Sequence, residues 1–240
     1  MSSPQPSKED GASSISLRRS NARRDPSASY LERRQRLLDA AAQVIKEKGL
    51  EATSVNDIAE RMGTDRASVY YYYGSKQEIF LALVRHAVEE VVVVAESIAA
   101  SPESSTVRLK RLLRSALEAY ERHYPIMFLY IQEDMRRVPG DGTEAGAELQ
   151  ALGRRFEAAL GKITQDAVNA GEFPEDLDDS LLKFAILGAM NWTHRWFVPG
   201  GRLSGAQVGE AFADYFLQGV RRPRQRARNG AEARPAVQAD

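Results

Sequence analysis

The chain has 240 residues, 43% of them hydrophobic, with 33 basic and 33 acidic side chains and no cysteine. The missing thiols exclude disulfides, thiolate metal sites and cysteine nucleophiles, and a formal net charge of zero confines any basic footprint for nucleic acid to a local patch. No apolar run is long enough to span a bilayer, Val91–Val94 being far too short, and the first residues lack the apolar core of a signal peptide, so a cytoplasmic protein without membrane contact is expected.

Residues 1–29 are rich in Ser, Pro and Arg, with Arg18, Arg19, Arg23 and Arg24 just ahead of the first helical pattern. Such a stretch buries too little apolar surface to offset its ordering entropy and reads as a disordered basic arm. It is either a solubilising end or a DNA backbone or minor-groove contact. Residues 221–240 (beginning RRPRQRARNG) read as a disordered, solubilising tail. Both ends are basic, so the middle carries a compensating acidic surplus.

Between them the apolar period is helical, as in Leu37, Ala41, Val44, Ile45 and in Ile79, Leu83, Ala87, Val91. Start signals recur: Ser54 with Asp57, Ser75 with Glu78 and Ser204 with Gln207. Gly49, Gly63, Gly171 and Pro199-Gly200-Gly201 supply the stops. The pattern predicts helices near 31–48, 55–62, 66–72, 76–99, 105–122, 125–136, 144–170, 178–197 and 205–219, an all-α chain.

The segment from Ser54 to Tyr73 reads as a helix-turn-helix. Val55, Ile58, Ala59 and Met62 share one face of its first helix, Gly63 makes the turn, and Val69 points inward from the second. Arg66, Ala67, Ser68, Tyr70, Tyr71 and Tyr72 are then available to face outward. In the major groove Arg66 can donate a bidentate fork to guanine, and small Ala67 can meet a thymine methyl. Tyrosine hydroxyls and Lys76 reach phosphates, as do the amides at the start of the first helix, capped by Thr53 or Ser54. A helix-Gly-helix turn occurs in many proteins without a DNA role, and a single lysine is usually solvated. Four consecutive tyrosines on a short helix cannot all be buried, which points to an interface, with Tyr73 the one assigned to packing.

The stretch GLEATSVNDIAERMGTDRASVYYYYGSKQEIFLALV closely resembles the DNA-binding signature of the tetracycline-repressor (TetR) family. The resemblance covers roughly Arg33 to Leu83. It implies a three-helix DNA-binding domain over 30–83, a larger helical ligand-binding and dimerisation domain over 84–220, and a homodimer on a pseudo-palindromic double-stranded operator. Carried over, Ser54, Thr64, Arg66, Ala67, Tyr70, Tyr71 and Lys76 fall where family members touch DNA. Tyr73 departs from the usual Phe and Tyr72 from a frequent His.

In the second half, 178–197 is apolar on most faces and needs cover on most sides. That places 178–197 and 205–219 at a symmetric dimer interface, as in the family, or makes 178–197 a central core helix of one subunit. Tyr120, Tyr124, Phe128, Tyr130, Phe156 and Phe184 can line an apolar pocket, although residues of these types at helical spacing are more often plain core. The segment NWTHRWFVPGGRLS resembles a TetR subgroup linked to fatty-acid, acyl-CoA and steroid catabolism, which implies a bulky hydrophobic effector such as a coenzyme A thioester. Trp192 and Trp196 belong to that segment, and Arg154, Arg155, Arg195 and Arg202 are candidate phosphate partners. No cofactor is expected beyond the effector.

Two other classes compete. An enzyme lacks support: His86, His123 and His194 are scattered without metal spacing, acid pairs such as Glu133-Asp134 and Asp178-Asp179 sit near helix ends, and no phosphate loop or nucleophile elbow emerges, so no catalytic and no metal residue is assigned. A helical protein-protein adaptor explains the core and leaves the tyrosines, Arg66 and Lys76 without a role. Salt separates the two, because phosphate contacts weaken steeply with added salt.

Overall fold

A computed structural model of the chain describes residues 26–134 and 144–220. The expected tail beyond Val220, and Arg18, Arg19, Arg23 and Arg24, lie outside the described residues. The described residues are all-α.

Local chemistry sets the boundaries. Helix α1 (Ala28–Lys48) starts inside the expected arm because Ser27 caps it, accepting from Tyr30 N at 3.2 Å, and it ends where Gly49 takes φ 81°. Helix α2 (Val55–Arg61) carries both halves of the Ser54/Asp57 capping box. Gly63, at φ 66°, turns the chain toward α3 (Arg66–Tyr72), which Asp65 caps through Ser68 N at 2.6 Å. Ser75 caps α4 (Lys76–Ala100), while Glu78 reaches one residue further back and accepts from Gly74 N at 2.6 Å.

Helix α4 is the spine. At about 1.5 Å per residue it runs roughly 37 Å, and its apolar side carries Ile79, Leu83 and Val84 near the first three helices and Ala95, Ile98 and Ala99 at the far end. Helices α5 (Ser105–Arg122), α6 (Ile126–Asp134) and α7 (Glu144–Asn169) pack against it. Helix α8 (Asp179–Trp192) leans on α7, and α9 (Gly205–Val220) on α5.

The α5–α9 contact is close because of two glycines one turn apart. A Cβ on Gly205 would sit 2.7 Å from the Leu117 carbonyl carbon, and one on Gly209 2.6 Å from Arg114 Cα. Carboxylates from distant chain segments cap helix starts in this body. Glu172 accepts from Ser105 N and Thr106 N at the start of α5, both at 2.8 Å, and Glu121 accepts from Gly205 N at 2.7 Å. The buried Arg108 guanidinium joins three elements by donating to the Ala99 carbonyl, Asp166 and the Ser105 hydroxyl, each at 2.8 Å.

The expected single helix over 178–197 is corrected. Helix α8 stops at Trp192, a 3₁₀ turn follows over Thr193–Arg195, and Thr193 Oγ1 donates to the Met190 carbonyl at 2.6 Å. The tighter turn sends His194 and Phe197 inward and leaves Trp192, Arg195 and Trp196 outside.

Candidate nucleic-acid interface and effector region

In the head formed by α1, α2 and α3, Ile58, Ala59 and Val69 fill the centre beneath Leu37, Leu38, Ala41 and Ile45 of α1. That packing fixes which side of α3 is open. Arg66 and Ala67 are exposed at its start, and Thr64, Ser68, Tyr70 and Tyr71 are half-exposed. Arg66 lies along the helix, its guanidinium 5.1 Å above the Tyr70 ring and its Nη2 donating to the Tyr70 hydroxyl at 2.8 Å. The two side chains thus form one polar, aromatic unit on the open face.

Tyr72 departs from the expectation. It is buried at 7% exposure with its ring 5.0 Å from that of Tyr30. The cause is helical phase: Tyr72 follows Val69 by three residues and shares its inward side. Tyr71 stands edge-on to Tyr30 and Tyr72, with centroids 5.9 and 5.0 Å apart, so its ring is braced while part of it faces out. Tyr73 is packed inside at 1% exposure, with Arg34 stacked 5.0 Å over its ring.

Lys76 and Ser54 are occupied within the head. The Lys76 ammonium donates to the Leu50 and Glu51 carbonyls at 2.9 and 3.1 Å, fastening the start of α4 to the turn after α1. Ser54 donates its backbone N–H and hydroxyl to Asp57 at 2.8 and 2.6 Å, and Lys48 bridges the same carboxylate at 2.6 Å. Lys48, with Ser54 second, holds the Asp57 carboxyl well below the usual carboxylate range, which keeps the cap charged.

The expected effector residues divide into two groups. Tyr120, Tyr124 and Phe128 come together at the junction of α5, α6 and the 3₁₀ turn: Tyr124 lies 6.5 Å from Tyr120 and 5.8 Å from Phe128, while Phe197 packs on Tyr120 and His194 on Phe128. The Tyr120 hydroxyl is buried with no hydrogen-bond partner, and burial raises its pKa far above the ordinary phenol value, so it persists as a donor. His194 turns Nδ1 to the Asn191 carbonyl at 2.7 Å. Sequence reasoning had noted His194 without assigning it here, and it did not single out Phe197, whose inward direction depends on the break at Trp192.

Phe184 does not join that cluster, and Trp192 and Trp196 touch only its outer edge, edge-on to His194 and Phe197 at 6.1 and 6.2 Å. They are 58%, 54% and 49% exposed and, with Leu181, Val198 and Tyr215, give α8, the turn after it and α9 an apolar outer side. Nor do the arginines converge on Tyr120. Arg155 forks onto Glu96 through two hydrogen bonds of 2.8 Å, Arg195 stacks 5.3 Å from the Trp192 ring, and Arg154 and Arg202 are exposed. Among the described residues no group of three or more metal-ligating side chains forms, and no helix is long and apolar enough to cross a membrane.

A helix-turn-helix head with an open, Arg- and Tyr-bearing second helix, joined by one long helix to an all-helical body, defines a DNA-binding regulator of transcription. Residues 37–83 match the family profile described as "Bacterial regulatory proteins, tetR family", and residues 102–220 that of "Tetracyclin repressor-like, C-terminal domain". The chain belongs to the TetR family. It is 31% identical to the TetR family regulator PfmR of Thermus thermophilus, covering 78% of this chain and 99% of that one, with a TM-score of 0.67. A TetR/AcrR regulator of Thermobifida fusca is 30% identical over 80% of this chain and 100% of its own, with a TM-score of 0.64. The transcriptional repressor KstR2 of Mycobacterium tuberculosis is 28% identical over 78% of this chain and 92% of its length. Its solved structure, described as that of a ketosteroid transcriptional regulator, has a TM-score of 0.66 at 27% identity.

Proposed function

We propose that this protein is a cytoplasmic, homodimeric repressor whose head, over 30–83, reads a pseudo-palindromic operator, and whose body, over 84–220, dimerises and binds an apolar effector that weakens operator binding. The observation that carries the reading is the open face of α3, where Arg66, Ala67, Tyr70 and Tyr71 stand beyond a head core closed by Val69, Tyr72 and Tyr73. Arg66 reads guanine in the major groove, Ala67 allows close approach, and Thr64, Ser68, Tyr70, Tyr71 and the remaining N–H of Lys76 hold phosphates, while Ser54, whose donors both go to Asp57, fixes the start of α2. Tyr72 supports the head from inside. The repressor assignment follows the relative named as a repressor.

Dimerisation rests on the outer side of α8 and α9. Phe184, Trp192, Trp196 and Tyr215, each about half or more exposed, are large apolar side chains whose burial against a second copy supplies a driving force for association. A two-fold axis there lets each subunit cover the other.

The effector enters beside Tyr120. An apolar molecule carrying a carbonyl supplies the acceptor that the buried hydroxyl lacks, and Tyr124, Phe128 and Phe197 cover its body. An acyl-CoA thioester and a ketosteroid both meet that description, and a relative is described as a ketosteroid regulator. Binding beside Val91, midway along α4, shifts the dimer between spacings of its heads, and α4 carries the shift. Titration of the protein–DNA complex with acyl-CoAs, the matching free acids and ketosteroids tests this. Release of DNA by a carbonyl-bearing class, reduced by Tyr120→Phe, supports the site, whereas release that ignores Tyr120→Phe refutes it.

A further inference from the structure

Two clefts flank α1, and their chemistry differs. The cleft of about 510 Å³ facing α4 and α7 has mixed charge, with Arg34 and Arg85 set among Glu78, Glu89 and Glu148. The other, of about 340 Å³, lies between α1 and α3 and has no acid in its wall. Arg33 and Arg36 form one side, and Thr64, Ser68 and Tyr71 the other. Both arginines are exposed and one helical turn apart, and among the described residues neither has a carboxylate partner. Several other exposed arginines are neutralised, Arg61 by Glu47, Arg114 by Glu118 and Glu210, and Arg155 by Glu96, while Arg66 and Arg195 stack on aromatic rings. Two unpaired guanidinium groups facing hydroxyl donors across an acid-free groove make a site for an anion.

We propose that Arg33 and Arg36 are DNA-positioning residues that clamp a backbone phosphate of the operator in the groove between α1 and α3. The occupant is a DNA phosphate and not a free anion because the far wall is the recognition helix itself. Thr64, Ser68 and Tyr71 cannot approach a duplex without bringing its backbone to the arginines opposite. The clamp fixes how far α3 enters the major groove and carries no sequence information. This inference rests on the operator-binding reading.

Each phosphate contact contributes about 0.9 to the slope of log K against log salt. The two arginines share one phosphate per subunit, so in a two-fold dimer the double variant loses two phosphate contacts and lowers the slope by about 1.8, while Arg33→Ala or Arg36→Ala alone lowers it by part of that. The test measures fluorescence anisotropy of the full-length dimer on a duplex selected from a random pool, across a salt series, beside a scrambled duplex and sodium phosphate as competitor. Arg111→Ala, on α5 and tied to Glu103, is the charge-matched control. Expected are the reduced slopes, an unchanged ratio of selected to scrambled affinity, an unmoved control and melting temperatures equal to wild type. Unchanged slopes in both arginine variants, with wild type still binding in a salt-sensitive way, overturn the clamp and leave operator binding intact. A collapsed sequence preference with an unchanged slope also overturns it, because the arginines then read bases. Competition by millimolar phosphate at constant ionic strength overturns the choice of a DNA phosphate over a free anion. Failure of wild type to bind any duplex overturns the underlying reading as well.

Discussion

Replacing Gly209 by Ala tests the packing that positions the outer helix of the body. An added Cβ would lie 2.6 Å from Arg114 Cα and 2.7 Å from the Leu113 carbonyl carbon, against about 3.4 Å for ordinary contact. Both are backbone atoms, so no rotamer relieves the clash and α9 must move off α5 by about 1 Å. Overpacking of this kind costs about 3 kcal/mol. The gain in helix propensity from Gly to Ala, about 0.9 kcal/mol, offsets part of it. The net is a loss of roughly 2 kcal/mol, or about 4–8 °C in melting temperature for a chain of this size. Thermal unfolding followed by circular dichroism reads the shift. Gly153→Ala in α7, where a Cβ meets nothing within 4 Å, is the companion variant and melts at or slightly above wild type. If Gly209→Ala melts with wild type, the two helices are not held at backbone contact and the reasoning fails.

Tyr120→Phe removes a buried hydroxyl without a partner, so it raises thermal stability by about 1 kcal/mol while reducing effector sensitivity; lowered stability would show that the hydroxyl has an internal partner. Phe184→Asp with Trp192→Asp puts charge on the exposed apolar side of α8 and converts a dimer to monomers in sedimentation velocity, with operator affinity lost. A dimer that survives both changes means the two-fold axis lies elsewhere. Burial alone would raise the Glu172 carboxyl, but the Thr106 and Ser105 N–H groups outweigh it and hold the pKa below its ordinary value. Its contribution is therefore present above the unfolded pKa of about 4.3 and lost as pH falls through the lower folded value. Glu172→Ala costs about 2 kcal/mol at pH 7, and its melting curve converges on wild type below pH 4; a constant gap across that window would exclude the charged tie.

Helix positions were legible because their signals are local. Gly63 and the Ser54 and Ser204 caps act within four residues, and Ser204 exchanges both hydrogen bonds with Gln207, at 2.9 and 3.2 Å. Tyr72 was also within reach, since its three-residue step from Val69 places it inward on a helix of only seven residues. The tyrosine run drew attention to surface when phase decided the matter. The α5–α9 glycines, the buried Arg108 junction and the gathering of His194 and Phe197 around Tyr120 depend on which helices meet, and single-chain periodicity does not contain that. The tryptophans of the NWTHRWFVPGG segment illustrate the same point. Their types suit a pocket or an interface equally; the phase of α8 leaves Trp192 outside, and the break after it leaves Trp196 outside.

The central claim is that α3 reads operator sequence through Arg66 in a two-fold dimer. Selection of bound duplexes from a random pool, run in parallel with wild type and Arg66→Ala, tests it most directly. The account predicts an inverted repeat for wild type, and for Arg66→Ala the loss of about 1–3 kcal/mol of preference at one symmetry-related pair of positions with the others kept. No enriched sequence, or an enriched site without two-fold symmetry that Arg66→Ala leaves untouched, would contradict it.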